Sequence, residues 1–138
     1  MLFRSAMLAL LAQIENEFAN DTPGGALQVA RGEVHSAVHD LRETTATLLN
    51  LGATQPERAL AVAVPYLMMC GFVLGGWLML RAAKLVSSDA AQVDSEFAAA
   101  KLATARAYIG QLLPRALGYR QIVMNGSESV AEVAATLI

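Results

Sequence analysis

The chain has 138 residues, enough for one domain with a sizeable core. It is 55% hydrophobic and only 16% charged, where soluble domains carry about 25% charged residues, so membrane or another protein surface is expected to take up the surplus apolar area. The net charge is −2, with acids and bases interspersed and no Lys/Arg run, which leaves no footprint for nucleic acid. Cys70 is the only cysteine, which excludes an intrachain disulfide.

The first residues, M-L-F-R-S-A-M-L-A-L-L-A-Q-I, place Arg4 ahead of a short apolar run from Ala6 to Ala12, in the manner of a signal peptide. No small-x-small site separates this run from the pattern that follows, and a helix over about Phe3 to Ala19 is expected instead. Leu8, Leu11, Ile14 and Phe18 would form its buried face. N-D-T-P-G-G, from Asn20 to Gly25, gathers turn formers and ends it.

A second helix is expected from about Ala26 to Leu51. Leu27, Ala30, Val34, Ala37, Val38, Leu41, Thr45, Leu48 and Leu49 make its apolar stripe. Arg31, Glu33, Asp40, Arg42 and Glu43 lie mostly off that stripe, giving it one wet face. Gly52 suits the position after its C-cap. Thr54 is placed to cap the next helix, with Pro56 in its first turn and Glu57 near its N-terminus.

The third helix runs to about Val86 and carries A-L-A-V-A-V-P-Y-L-M-M-C-G-F-V-L-G-G-W-L-M-L, Ala59 to Leu80, without a single charge. At a helical rise this stretch spans roughly 33 Å, enough to cross a bilayer. Pro65 predicts a kink near Ala61 to Pro65. Gly71 and Gly75 stand one turn apart with Gly76 beside them, a pattern that invites close approach by a neighbouring helix or a bulky side chain, or a helix pair within a membrane. Trp77 adds a large apolar body with one N–H to satisfy. Arg58, Arg81 and Lys84 flank the stretch without a charge bias between its ends. Because the neighbouring helices are amphipathic, the helix reads as the central spine of a bundle, apolar all round, and membrane is not an expected partner.

S-S-D, Ser87 to Asp89, is a cap signal for a fourth helix from about Ala90 to Met124, bent or broken at Pro114. Phe97, Ala100, Lys101, Thr104, Tyr108 and Leu112 share one of its flanks. N-G-S-E-S, Asn125 to Ser129, is the last turn, with Ser127 capping a short helix from Glu128 to Leu137. No segment alternates as a strand does. The expected fold is all-α: a single domain, 1–138, forming an antiparallel up-and-down bundle of four main helices plus a short C-terminal helix.

Chemistry is sparse. His35, His39 and Glu43 stand at i, i+4 and i+8 on the second helix, the spacing of a three-ligand metal set. There is no Glu beside the first His, as a zinc protease needs, and no nearby Cys, so these residues read as a solvated polar face. Glu15 with Glu17, and Asp94 with Glu96, point in different directions on their helices and make no acid/base pair. Cys70 reads as a buried small hydrophobe. No catalytic, cofactor-binding or metal-binding residue is assigned.

The run V-P-Y-L-M-M-C-G-F-V-L-G-G-W-L-M-L-R-A-A, followed by F-A-A-A-K-L-A-T-A-R-A-Y-I-G-Q-L-L-P-R-A, resembles the helical C-terminal extension of a subgroup of acyl-CoA dehydrogenases, the acyl-CoA dehydrogenase C-terminal-like domain. The matching positions are Tyr66, Leu67, Gly71, Gly75, Gly76, Trp77, Leu78, Arg81 and Ala82, then Lys101, Ala105, Arg106, Tyr108, Leu112, Leu113 and Pro114. The resemblance covers nearly the whole chain and is weakest over the first thirty or so residues. It implies a soluble, cytoplasmic helical domain that packs on the dehydrogenase body and on a partner subunit, with Tyr66, Gly71, Gly75, Gly76, Trp77, Arg81, Lys101 and Tyr108 in helix packing or interface. In such enzymes FAD and the catalytic Glu belong to preceding domains, and no motif of those domains can be carried onto this sequence. The implied role is therefore non-catalytic: subunit association as a homodimer, joined to dehydrogenase core domains in cis or in trans, and a border of the acyl-CoA pocket. The resemblance fits an excised domain and a free-standing relative equally. Lys101 and Arg81 read as capping or ion-pairing residues, because a CoA phosphate site needs more than one or two scattered bases. A single-span membrane protein dimerising through Gly71 and Gly75 is the alternative.

Overall fold

The computed structural model describes residues 2–21, 25–88 and 92–137. Thr22, Pro23 and Gly24 of the first expected break, Asp89 of the expected cap signal, and Ala90 and Ala91 at the expected start of the fourth helix lie outside them. Among the described residues there are seven α-helices, one 3₁₀ turn and no strand: α1 (Leu2–Asn20), the 3₁₀ turn Gly25–Leu27, α2 (Gln28–Thr54), α3 (Pro56–Ala61), α4 (Ala63–Ser87), α5 (Ser95–Gln111), α6 (Arg115–Asn125) and α7 (Ser127–Leu137). The all-α class is as the periodicity indicates. The expected count of four main helices plus one is corrected, because both long C-terminal patterns are divided.

Each division has a proline as its cause. Pro65 has no N–H to offer the Ala61 carbonyl, and its ring crowds that group. The chain opens at Val62, whose φ of −113° leaves the helical range and separates α3 from α4. Pro114 does the same one turn after Gly110. There α5 ends in a tight turn in which the Leu112 and Leu113 N–H groups both donate to the Tyr108 carbonyl, at 2.8 and 3.1 Å. α6 then starts directly after Pro114.

Three expected N-caps move. α2 runs past Gly52 to Thr54, whose hydroxyl donates back to the Asn50 carbonyl, so Gln55 and not Thr54 precedes α3. α5 is capped by Asp94, which accepts from the Phe97 N–H at 3.3 Å. Ser127 is the first residue of α7 rather than its cap. Gly25, at φ +75°, takes the left-handed turn that leads into α2.

α4 lies at the centre of the packing, with α5 and α6 as its principal neighbours and α2 next. Its buried side is Tyr66, Met69, Cys70, Val73, Gly76, Trp77, Leu80 and Ala83. α2 answers with Ala30, Val34, Val38, Leu41, Thr44 and Thr45. α1 adds Leu11, Ile14 and Phe18 as expected, but Met7 and not Leu8 continues that face inward. α5 packs through Ala105 and Ile109, while Phe97, on the flank singled out above, is exposed. Arg31 ties the end of α1 to α2 by donating to the Phe18 and Asp21 carbonyls.

Candidate functional site

α4 meets the α5–α6 corner along a seam, and glycine makes the close contact there possible. A Cβ built on Gly75 would stand 2.7 Å from Cζ of Tyr108, and one on Gly76 would stand 3.0 Å from Cδ1 of Leu113. The bare backbone at Gly75 lets the Tyr108 hydroxyl reach in and donate to the Phe72 carbonyl at 3.1 Å, with the Gly71 carbonyl at 3.4 Å. Burial pushes the Tyr108 phenol above its ordinary range. Gly71 differs: a Cβ there would meet nothing within 4 Å. The two glycines one turn apart therefore have separate surroundings, one filled from within the chain and one open.

Trp77 is buried, and its indole N–H donates to Glu17 Oε2 at 3.0 Å. The Arg81 guanidinium lies over the indole at 5.1 Å from the ring centroid and 3.9 Å from the same carboxylate oxygen. Tyr66 is buried beside Thr45, hydroxyl to hydroxyl at 2.8 Å, and the Thr45 hydroxyl also reaches the Leu41 carbonyl at 2.7 Å. Cys70 lies next to Tyr66, and burial raises both the thiol and the phenol, so neither is a ready nucleophile or base at neutral pH. Lys101 has no carboxylate partner among the described residues; its ammonium sits over the Phe97 ring of its own helix, at 5.8 Å. The expected residues thus fall into three places: the seam, the Trp77 cluster and the Tyr66 cluster, with Lys101 apart from all of them.

Leu60, Val64, Leu67, Met68, Leu78 and Leu85 form an exposed apolar row along α3 and α4, from 42% exposed at Met68 to 75% at Leu60. α4, apolar all round as expected, is therefore buried on one side only, and its outer side is left for another surface to cover. The most apolar stretch of α4 is 39% buried, and the helix is long and apolar enough to cross a membrane.

A cavity of about 470 Å³ lies on another side, between the N-terminal half of α2 and the α5–α6 corner. Met69, Ile109, Leu113 and Ala116 form its apolar floor, and Glu33 and Asp40 stand on its α2 wall. No base is among its lining residues. The pyrophosphate of a flavin or of CoA would meet carboxylates there, so the cavity fits neither group.

His35, His39 and Glu43, which share the spacing of a ligand set, do not come together as one. His35 leaves it to pack on Phe18, ring centroids 5.0 Å apart. His39, Asp40 and Glu43 do bring potential ligand atoms within 4.8 Å of one another. Arg120 already neutralises the two acids, 3.1 Å from Glu43 and 3.8 Å from Asp40.

Compared with known proteins, residues 10–134 match the family model described as acetyl-CoA dehydrogenase C-terminal like. The chain belongs to the acetyl-CoA dehydrogenase C-terminal-like family. No curated protein and no solved structure matches it.

For a member of the acetyl-CoA dehydrogenase C-terminal-like family, the seam and the outward row differ in how they could be read from sequence. Glycine within an apolar helix invites close approach; Gly71 is open, but the approach at Gly75 and Gly76 was legible. The row was not. Where a helix is apolar on every side, its periodicity does not separate the covered face from the open one.

Proposed function

We propose that this domain is a non-catalytic assembly module of an acyl-CoA dehydrogenase-like flavoprotein, and that it works by laying the outward row of α3 and α4 against another protein surface. The full enzyme would oxidise an acyl-CoA thioester with FAD, both the flavin site and the catalytic carboxylate being supplied by dehydrogenase core domains in cis or in trans. The expected setting is a cytoplasmic homodimer. The exposed row carries the proposal. Six large apolar side chains on one line exceed what scattered surface residues account for. Fully covering one Leu contributes about 1.5–3 kcal/mol. At half exposure the row offers roughly 5–9 kcal/mol, against an association cost of about 4–15 kcal/mol. The row alone therefore supports a weak association, and a tight one recruits surface beside it. The carboxylate-walled cavity is a poor border for an acyl-CoA pocket, so any such border is assigned to the face that the row joins.

The test is sedimentation of Leu67→Lys and Leu78→Lys, alone and mixed with a dehydrogenase core. Both side chains are more than half exposed, so the variants should keep the wild-type melting temperature and lose association. If they assemble as the wild type does, the row is not the interface.

The membrane alternative draws on the same row and on the length of α4. Its dimer motif is only half available in this fold, since Tyr108 fills the approach to Gly75. Recovery wholly in the soluble fraction without detergent would remove that reading.

A further inference from the structure

The cavity between α2 and the α5–α6 corner lies away from the outward row, and its chemistry is unlike the rest of the surface. Glu33, Ser36 and Asp40, at i, i+3 and i+7, line up on one face of α2 and form its polar wall. The floor opposite is apolar and buried, and the rims are the exposed Val29 and Leu117. The size, about 470 Å³, is that of a small-molecule site.

The two carboxylates are not equivalent. Asp40 is answered by Arg120, whereas Glu33 has no ion-pair partner among the described residues. A cation entering from solvent can therefore meet Glu33 without displacing a resident base. Gly32 stands at the entrance. A Cβ there would meet nothing within 4 Å, so packing within the chain does not call for glycine. Mid-helix glycine is about 1 kcal/mol less favourable than alanine, and here its bare backbone widens the mouth of the cavity.

We propose that this cavity binds an amphiphilic cation, an alkyl or aryl body ending in a protonated amine. The body lies on Met69, Ile109, Leu113 and Ala116, and the ammonium meets the Glu33 carboxylate with the Ser36 hydroxyl beside it. Charge complementarity selects this occupant. A fatty acid would bring its carboxylate to an acidic wall with no base to receive it. The site is separate from the association surface, and either assignment stands if the other fails.

The test titrates the full chain with octylammonium chloride below its micelle concentration, and in parallel with octanoate, following amide shifts by NMR. Octylammonium should saturate, with the largest shifts in the N-terminal half of α2 and at residues 109–117, and octanoate should bind at least about ten-fold more weakly. Glu33→Gln, at an exposed position, should weaken octylammonium about three-fold or more, the scale of a partly exposed charge pair, and added salt should do the same. Gly32→Leu should narrow the mouth and reduce binding, and Leu67→Lys should leave it unchanged. Equal binding of octanoate, indifference to Glu33→Gln, or shifts concentrated on the outward row of α4 would each overturn the proposal.

Discussion

Tyr108 lies over Gly75. A Cβ on Gly75 would come to 2.7 Å from the phenol carbon Cζ, and the hydroxyl donates past it to the Phe72 carbonyl at 3.1 Å. One contact thus fixes the spacing of α4 and α5 and explains a glycine that helix propensity alone would disfavour.

Gly75→Leu should overpack this seam and lower stability by about 1–3 kcal/mol or more. Removing the ring in Gly75→Leu with Tyr108→Ala should return part of that loss, because the added side chain then occupies the space the ring vacates. Gly71→Ala should act in the opposite direction: its Cβ meets nothing within 4 Å, so the gain in helix propensity, about 0.5–1 kcal/mol, is unopposed. Urea denaturation midpoints of five chains, the wild type, these three variants and Tyr108→Ala alone, check this. A destabilised Gly71→Ala, or additive losses in the double variant, would contradict the geometry.

Alkaline pH should unfold the domain through its buried hydroxyl cluster. Burial raises the folded pKa of Tyr66 above the ordinary phenol value of about 10. Its contribution is fully present below the unfolded pKa, and is lost as pH rises from about 10 toward the folded value. Tyr66→Phe should flatten the fall in stability above that pH, at a cost of about 0.5–1.5 kcal/mol at neutral pH for the lost bond to Thr45. Denaturation at neutral pH and at pH values above that of free phenol measures both effects.

The thiol of Cys70 is also raised by burial. In the native chain it should react with a disulfide reagent at least about ten-fold more slowly than in guanidinium, since thiolate fraction and access both fall on folding. Equal rates would place Cys70 at the surface.

Trp77, the only tryptophan, reports on the α1–α4 contact. Its N–H bond to Glu17 at 3.0 Å predicts that Glu17→Ala lowers stability by about 0.5–1.5 kcal/mol and shifts the emission maximum of the folded chain. Unchanged emission would mean that the indole N–H has another acceptor.

Much of the fold was legible because local rules decide it. Pro65 and Pro114 break helices for want of an N–H, and the stripe of Ala30, Val34, Val38 and Leu41 has helical spacing. The caps were less legible. Thr54 and Asp94 are both competent cap residues, and the choice between competent caps depends on where the preceding helix stops. The spacing of His35, His39 and Glu43 places them on one side of a helix but does not supply their partners, and Phe18 and Arg120 come from elsewhere in the chain.

By itself, then, the sequence determined an all-α domain of its family, a disturbance of the helix at Pro65 and at Pro114 and the need for close approach at Gly75 and Gly76, since each follows from backbone chemistry or from period along the chain. Only the tertiary structure decided that Tyr108 is what approaches Gly75, that Gly71 stays open, that α3 turns Leu60 outward and that α4 does the same with Val64, Leu67 and Leu78. A helix apolar on all sides carries no mark of which side its neighbours will cover, and that side is set by residues distant in the chain, from Thr45, 21 positions before Tyr66, to Tyr108, 36 positions after Phe72.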